Sequence, residues 1–201
     1  MKLFAQRVPA RRASLIGPYS MRNSTMRYLK VTAQDRSANG KADTVLLHFF
    51  EESSGAEDRL IHKAYALDIT ADGKVDFQVG DVNNDGKENI KDERLLRSFA
   101  NAYLQLKWFN RGDTWDRYLK IFTEDFANDG SPDTVRLHFH EGVGKPSDQT
   151  IVYTASAYDT NNDGKMDWLI HFDMDNDGDQ DAVDQQRVSQ LSTAYLLFNW
   201  S

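Results

Sequence analysis

The chain contains no cysteine, which excludes disulfides, zinc-thiolate sites and thiol catalysis. No stretch approaches the ~18 consecutive apolar residues of a membrane-spanning helix. Catalytic and nucleotide-binding signatures are missing as well: there is no G-x-S-x-G, H-E-x-x-H, Walker or dinucleotide glycine motif. Basic charge is scarce beyond the N-terminus. Residues 1–26 hold Lys2, Arg7, Arg11, Arg12 and Arg22 and no acid, a charge of +5, so a net charge of −7 leaves −12 on residues 27–201. A body of that sign argues against nucleic acid as the main partner. The leader lacks an apolar h-region and does not read as a secretory signal. It is read as a disordered arm, a transit-like segment, or an upstream start ahead of Met21 or Met26, with the last preferred. What remains is a globular composition, 40% apolar and 11% aromatic over 201 residues, enough for one ordinary domain or two small ones.

The chain repeats itself. RYLKVTAQDRSANGKADTVLLHF (27–49) aligns with RYLKIFTEDFANDGSPDTVRLHF (117–139) at an offset of 90 residues. DITADGKVD (68–76) matches DTNNDGKMD (159–167) at 91; DVNNDGKEN (81–89) matches DMDNDGDQD (173–181) at 92, as does AYLQLKW (102–108) with AYLLFNW (194–200). Matches in one order with small slips imply a duplication, with copies at 27–109 and 117–201 and a linker at 110–116.

Within a copy, Val45, Leu47 and Phe49, like Val135, Leu137 and Phe139, recur at period two, the mark of a half-buried strand. Leu29 and Val31, with Leu119 and Ile121, give the strand before it. Residues 61–67 and 151–158 are β-branched and aromatic enough for a third. Val75, Phe77 and Val79, against Met166, Trp168 and Ile170, give a fourth. The period then becomes helical at Leu95, Leu96, Phe99, Tyr103 and Leu106, and at Val188, Leu191, Tyr195 and Phe198. The fold class expected is α+β: two tandem repeats, each a four-stranded antiparallel β-meander of two hairpins plus one C-terminal helix.

Six segments share the pattern D-x-[D/N/S/T]-x-[D/N]-G-x-x-[D/N], in places degraded. The spacing has a mechanical reason. Oxygens at positions 1, 3 and 5 point inward around a cation, glycine at 6 takes the sharp turn, position 7 gives a backbone carbonyl, and position 9 contributes directly or through water. All-oxygen ligation without His or Cys suits Ca2+. The second loops keep full sets: Asp68, Thr70, Asp72, Lys74 (carbonyl) and Asp76, and Asp159, Asn161, Asp163, Lys165 (carbonyl) and Asp167. The first loops are poorer. One offers Asp35, Ser37, Asn39 and Asp43; the other has Ala127 at a ligand position and keeps Asp125, Asp129 and Asp133. Five aspartates in the nine residues 173–181 repel one another unless a multivalent cation sits among them.

The third loop of each copy reaches a twelfth-position acid and runs into the helix. DVNNDGKENIKD followed by ERLLRSF resembles the calcium loop and exiting helix of the EF-hand superfamily, and of a dockerin repeat in particular, over about 20 residues of each copy. The resemblance implies Asp81, Asn83, Asp85, the Lys87 carbonyl, Asn89 and Asp92 as ligands. In the second copy it implies Asp173, Asp175, Asp177, the Asp179 carbonyl, Asp181 and Asp184. The four loops between strands resemble the calcium sites of FG-GAP and thrombospondin type 3 repeats.

Other features have plainer readings. His138 and His140 share a strand face and are read as a solvent-facing edge. Arg111-Gly112-Asp113 is read as a chance tripeptide in the linker. Trp108 and Trp200 fall at helix ends and Trp168 on a core strand face, so packing is expected of all three. The function expected is a non-enzymatic, calcium-stabilised module, extracellular or cell-surface, that presents a surface to another protein or a glycan. An intracellular calcium sensor or buffer, and a calcium-dependent enzyme, remain as alternatives.

Overall fold

The computed structural model describes residues 25–54, 57–109 and 116–201; the leader to residue 24 and the 110–115 part of the linker, with its Arg-Gly-Asp tripeptide, lie outside them. The fold is α+β, a single antiparallel sheet of eight strands with two helices. The strands are β1 (Arg27–Gln34), β2 (Thr44–Glu51), β3 (Arg59–Leu67), β4 (Phe77–Val79), β5 (Arg117–Glu124), β6 (Thr134–Glu141), β7 (Ile151–Tyr158) and β8 (Trp168–Ile170). Helix α1 spans Ile90–Leu104 and α2 spans Ala182–Leu197. Strand order across the sheet is β4-β3-β2-β1-β5-β6-β7-β8.

The seam between the halves is β1 against β5. Leu29 faces Ile121, Lys30 faces Lys120 and Val31 faces Leu119. Displacing each residue by 90 returns the same three pairs, so the seam reads identically from either side. Both halves also break register at one equivalent place, between Phe49 and Phe50 in β2 and between Phe139 and His140 in β6.

One sheet face is the core. Leu29, Val31, Val45, Leu47 and Phe49 with Leu119, Ile121, Val135, Leu137 and Phe139 are fully buried there, under Leu96, Phe99 and Tyr103 of α1 and Val188, Leu191 and Tyr195 of α2. Each such side chain contributes roughly 1.5–3 kcal/mol on leaving water. The helices meet over the seam, where the Phe99 and Phe198 rings lie 5.3 Å apart. Past the helix ends the chain crosses over. Trp108, following α1, packs edge-on against Phe139 of β6, with Arg117 over its ring at 4.8 Å. Trp200, following α2, packs edge-on against Phe49 of β2, with Arg27 over its ring at 4.7 Å, and donates its Nε1–H to the Tyr28 carbonyl.

Three expectations are corrected. β4 and β8 are only three residues long, and their inward residues are Gln78 and Leu169, paired with Ala66 and Ala157. Phe77 is therefore 45% exposed and Trp168 66% exposed on the face away from the helices. Val75 and Met166, where the alternation starts, belong to the preceding loops, and a period begun in a loop carries no face across a strand this short. Thirdly, β6 is an interior strand, and His140 is 1% exposed beneath the β6–β7 connection, with Nδ1 2.8 Å from the Thr150 hydroxyl.

Gly80 is demanded by packing. It enters the third loop at φ +136°, and a Cβ there would lie 2.4 Å from the Ala64 Cβ.

Candidate metal-binding loops

Antiparallel order sorts the six loops into two groups. β1, β3 and β8 run one way, so the loops that follow them, 35–43, 68–76 and 173–181, sit at one end of the sheet. The loops 81–89, 125–133 and 159–167 sit at the other. Asn39, Asp43, Asp68, Asp72 and Asn176 line one cleft of about 570 Å³ at the first end. At the opposite end the Asn162 amide donates to Asp129 at 2.9 Å.

All six loops have one conformation. The position-1 carboxylate, of Asp35, Asp68, Asp81, Asp125, Asp159 or Asp173, accepts the backbone N–H of position 5 on one oxygen and of the position-6 glycine on the other, at 2.7–3.2 Å. The position-5 side chain, of Asn39, Asp72, Asp85, Asp129, Asp163 or Asp177, accepts the N–H of position 7 at 2.8–3.0 Å. Position 4 is left-handed throughout, with φ of 55–56° at Ala38, Ala71, Asn84, Asn128, Asn162 and Asn176. A non-glycine residue there costs ~1–2 kcal/mol, and asparagine, which tolerates it best, fills four of the six places.

A second carboxylate closes each loop, and its position divides them into two kinds. Between strands it is position 9. Asp43 accepts the N–H groups of Arg36 and Ser37, and Asp133 those of Phe126 and Ala127, at 2.7–3.1 Å. Asp76 accepts from Thr70, and Asp167 from Thr160. Before a helix it is position 12. Asp92 accepts the N–H of Asn83 and of Asn89; Asp184 accepts those of Met174, Asp175 and Asp181. Position 9 is then free to cap. Asn89 and Asp181 are the N-caps of α1 and α2, accepting from Lys91 at 2.8 Å and Val183 at 2.7 Å, and with Asp92 and Asp184 at N3 they complete two capping boxes.

Between strands these bonds set the acidity of the closing group. Burial pushes the carboxyls of Asp43 and Asp133 up, and the amides and the neighbouring threonine hydroxyl more than reverse it, leaving both below the usual carboxylate range. The Thr70 amide holds Asp76 down, and the Thr160 hydroxyl and amide hold Asp167 down. Asp175 goes the other way. Burial raises it, and the charge of Asp177 adds to that. Asp173, Asp175 and Asp177 bring carboxylate oxygens within 4.8 Å of one another. In the corresponding loop of the first half, Asn83 stands where Asp175 does; its Oδ1 accepts the Asp85 N–H, and its Nδ2 is buried without a partner among the described residues.

Of the acidic ligand sets expected from the sequence, Asp173, Asp175 and Asp177 are the one group whose carboxylate oxygens come together among the described residues; in the other loops the expected residues are engaged by the loop's own hydrogen bonds, three of which the spacing does not encode. Hydroxyls of Ser37 and Thr70 donate to neighbouring carboxylates, Asp35 and Asp76. The Lys87 carbonyl accepts from the Asn89 side chain at 3.0 Å. Thr160, at position 2, donates its hydroxyl to Asp167 at 2.6 Å. Among the described residues a single loop carboxylate has a basic group at ion-pair distance, Asp163 with Lys165 at 3.8 Å; Arg97 and Lys107 act on Asp76 and Asp175 from farther off. Comparison of the chain with protein-family models, curated proteins and solved structures yields no match.

Proposed function

We propose that the chain is a calcium-binding, calcium-stabilised module without catalytic activity, built by tandem duplication of a unit of four antiparallel strands and a helix. The observation that carries the calcium reading is the cluster of Asp173, Asp175 and Asp177, whose carboxylate oxygens lie within 4.8 Å of one another in a loop conformation that the other five segments share. Carboxylates at such spacing repel, and each loses hydration as the turn orders; a divalent ion removes both costs. The triad Asp173, Asp175 and Asp177 is the strongest single candidate. Oxygen-only ligands and irregular loops favour Ca2+ over magnesium or a transition metal. The duplication is supported by the matched offsets and by the seam whose pairs are unchanged on exchange of halves. In this reading the module works at an extracellular or cell surface, where millimolar calcium fills even weak loops of roughly 10⁻⁴–10⁻³ M affinity. The rigid, ion-loaded unit then presents its surface to a protein or glycan partner.

The test is a calorimetric calcium titration of the metal-stripped full chain, with circular dichroism on the same samples. Uptake of about four or more ions with sharpening of the far-ultraviolet spectrum is expected. A chelated protein that is fully folded and takes up nothing at millimolar calcium would overturn the proposal.

A further inference from the structure

On the sheet face away from the helices, the seam carries two lysines in matched settings. Lys120 lies 4.6 Å over the Tyr28 ring, which stacks on Phe50 at 5.2 Å. Lys30 lies 3.9 Å over the Tyr118 ring, which stacks on His140 at 4.8 Å. Two ammonium groups set opposite each other on adjacent strands repel, and an ammonium drawn out of water needs a counter-charge.

Lys120 has one, the Glu52 carboxylate at 3.7 Å. The position 90 residues after Glu52 is Gly142. The two backbones are equivalent: Glu52 donates its N–H to the Met26 carbonyl and Gly142 donates to the Asp116 carbonyl, each at 2.7 Å. Lys30 is consequently left without a carboxylate at ion-pair distance among the described residues, and its Nζ donates to the Gly144 carbonyl at 3.2 Å. A side chain cannot simply be restored at Gly142, because a Cβ there would lie 2.9 Å from the Thr150 Cγ2.

What stands beside Lys30 is a cavity of about 510 Å³, walled by Tyr28, Phe50, Glu57, Asp58, Lys145 and Pro146, within the usual size range for a small-molecule site. The nearby Asp58 is already engaged, by Lys145 at 2.8 Å and by the Tyr28 hydroxyl at 2.8 Å. We propose that this cavity binds a small organic carboxylate with an apolar or aromatic body, its charge on the Lys30 ammonium where Glu52 serves Lys120, and its body against Tyr28, Phe50 and Pro146. Burial lowers the Lys30 pKa, and a bound anion raises it again. The site is separate from the loops and stands whether or not they take calcium.

The experiment is a phenylacetate titration of the calcium-saturated full chain, followed by calorimetry and backbone amide shifts. The expected result is saturable binding at about millimolar affinity or tighter, with shifts centred on Lys30, Phe50, Gly144 and Lys145. Lys30→Met should weaken it by at least about tenfold, and Lys107→Met, which alters the wall of the separate cleft beside Asn39, Asp72 and Asn176, should leave it unchanged. Should Lys30→Met fold poorly, Pro146→Asp places a competing acid at the cavity wall and should also weaken binding. Shifts that do not saturate overturn the proposal, as does affinity unaltered in the folded variants. Equal binding of the neutral isostere phenylacetamide overturns it too.

Discussion

The loop entering α1 and the loop entering α2 share a backbone and differ in charge. Both are shaped by a position-1 aspartate over two amides and a position-12 aspartate over two or three more. The first carries Asn83 and Asn89 where the second carries Asp175 and Asp181. Shape is therefore set by acceptors that the backbone itself satisfies; under the calcium proposal the pull on a cation would be set separately, by how many further carboxylates are added to that frame. The same contrast recurs elsewhere, since β2 carries Phe50 where β6 carries His140, and β4 carries Phe77 where β8 carries Trp168. Each pair compares the two halves of the sheet at one equivalent place.

The largest effect should come from the shared part. Asp184 is buried and accepts three amides. Asp184→Ala strands those donors and removes the capping box, an expected loss of about 3 kcal/mol. Asp92→Ala should cost a similar amount, read by urea unfolding in saturating calcium. A loss much smaller at Asp92 would show that the two frames are not equivalent.

Next comes pH. Burial, then the nearby His138, Lys120 and Lys30, lower the His140 pKa to about 4, opposed by Asp148. The imidazole is thus neutral in the folded protein, while the unfolded chain protonates near the ordinary value of 6.5. Stability from this group is complete above that value and is lost progressively as pH falls to about 4, by about 3 kcal/mol at most. His140→Phe, which copies Phe50, should remove that part of the acid sensitivity. The difference between wild-type and variant stability across this window is the quantity to measure; a flat difference would break the assignment.

Asp175→Asn makes the second loop resemble the first. Relief of repulsion should stabilise the chelated protein by about 1 kcal/mol, while calcium affinity falls. Asn83→Asp should do the reverse. Melting temperatures in chelator and in calcium separate the two effects, and changes of one sign in both conditions would contradict the division between frame and charge. The smallest effect is expected at Trp168→Ala, within about 0.5 kcal/mol, because the ring is exposed.

Much of this was legible in the sequence. The offsets of 90–92 located the equivalent segments, the period-two runs at 45–49 and 135–139 lie in β2 and β6, and the helical stripes lie in α1 and α2 except for Leu106 and Phe198, just past the helix ends. Those signals are strong because long buried elements impose their period on many residues. β4 and β8 impose theirs on three, and there the face was misassigned at Phe77 and Trp168. His140 looked solvent-facing because exposure on a strand depends on what folds over it, here a connection containing Thr150. The six loops were legible as a spacing, whereas their division into two groups of three follows from strand order, which no local pattern encodes. Nor does any pattern reveal that Gly142 withdraws a counter-charge from Lys30, a residue 112 positions away.

The crossing of the two tryptophans bears on how the molecule comes apart. Trp108 completes the aromatic packing of the second half and Trp200 that of the first. Neither half can be peeled away without pulling a large ring out of the other, so melting should proceed as one transition. A backbone cut between residues 110 and 115 should leave two fragments still clasped together, and force applied to the termini should meet a lock rather than a hinge.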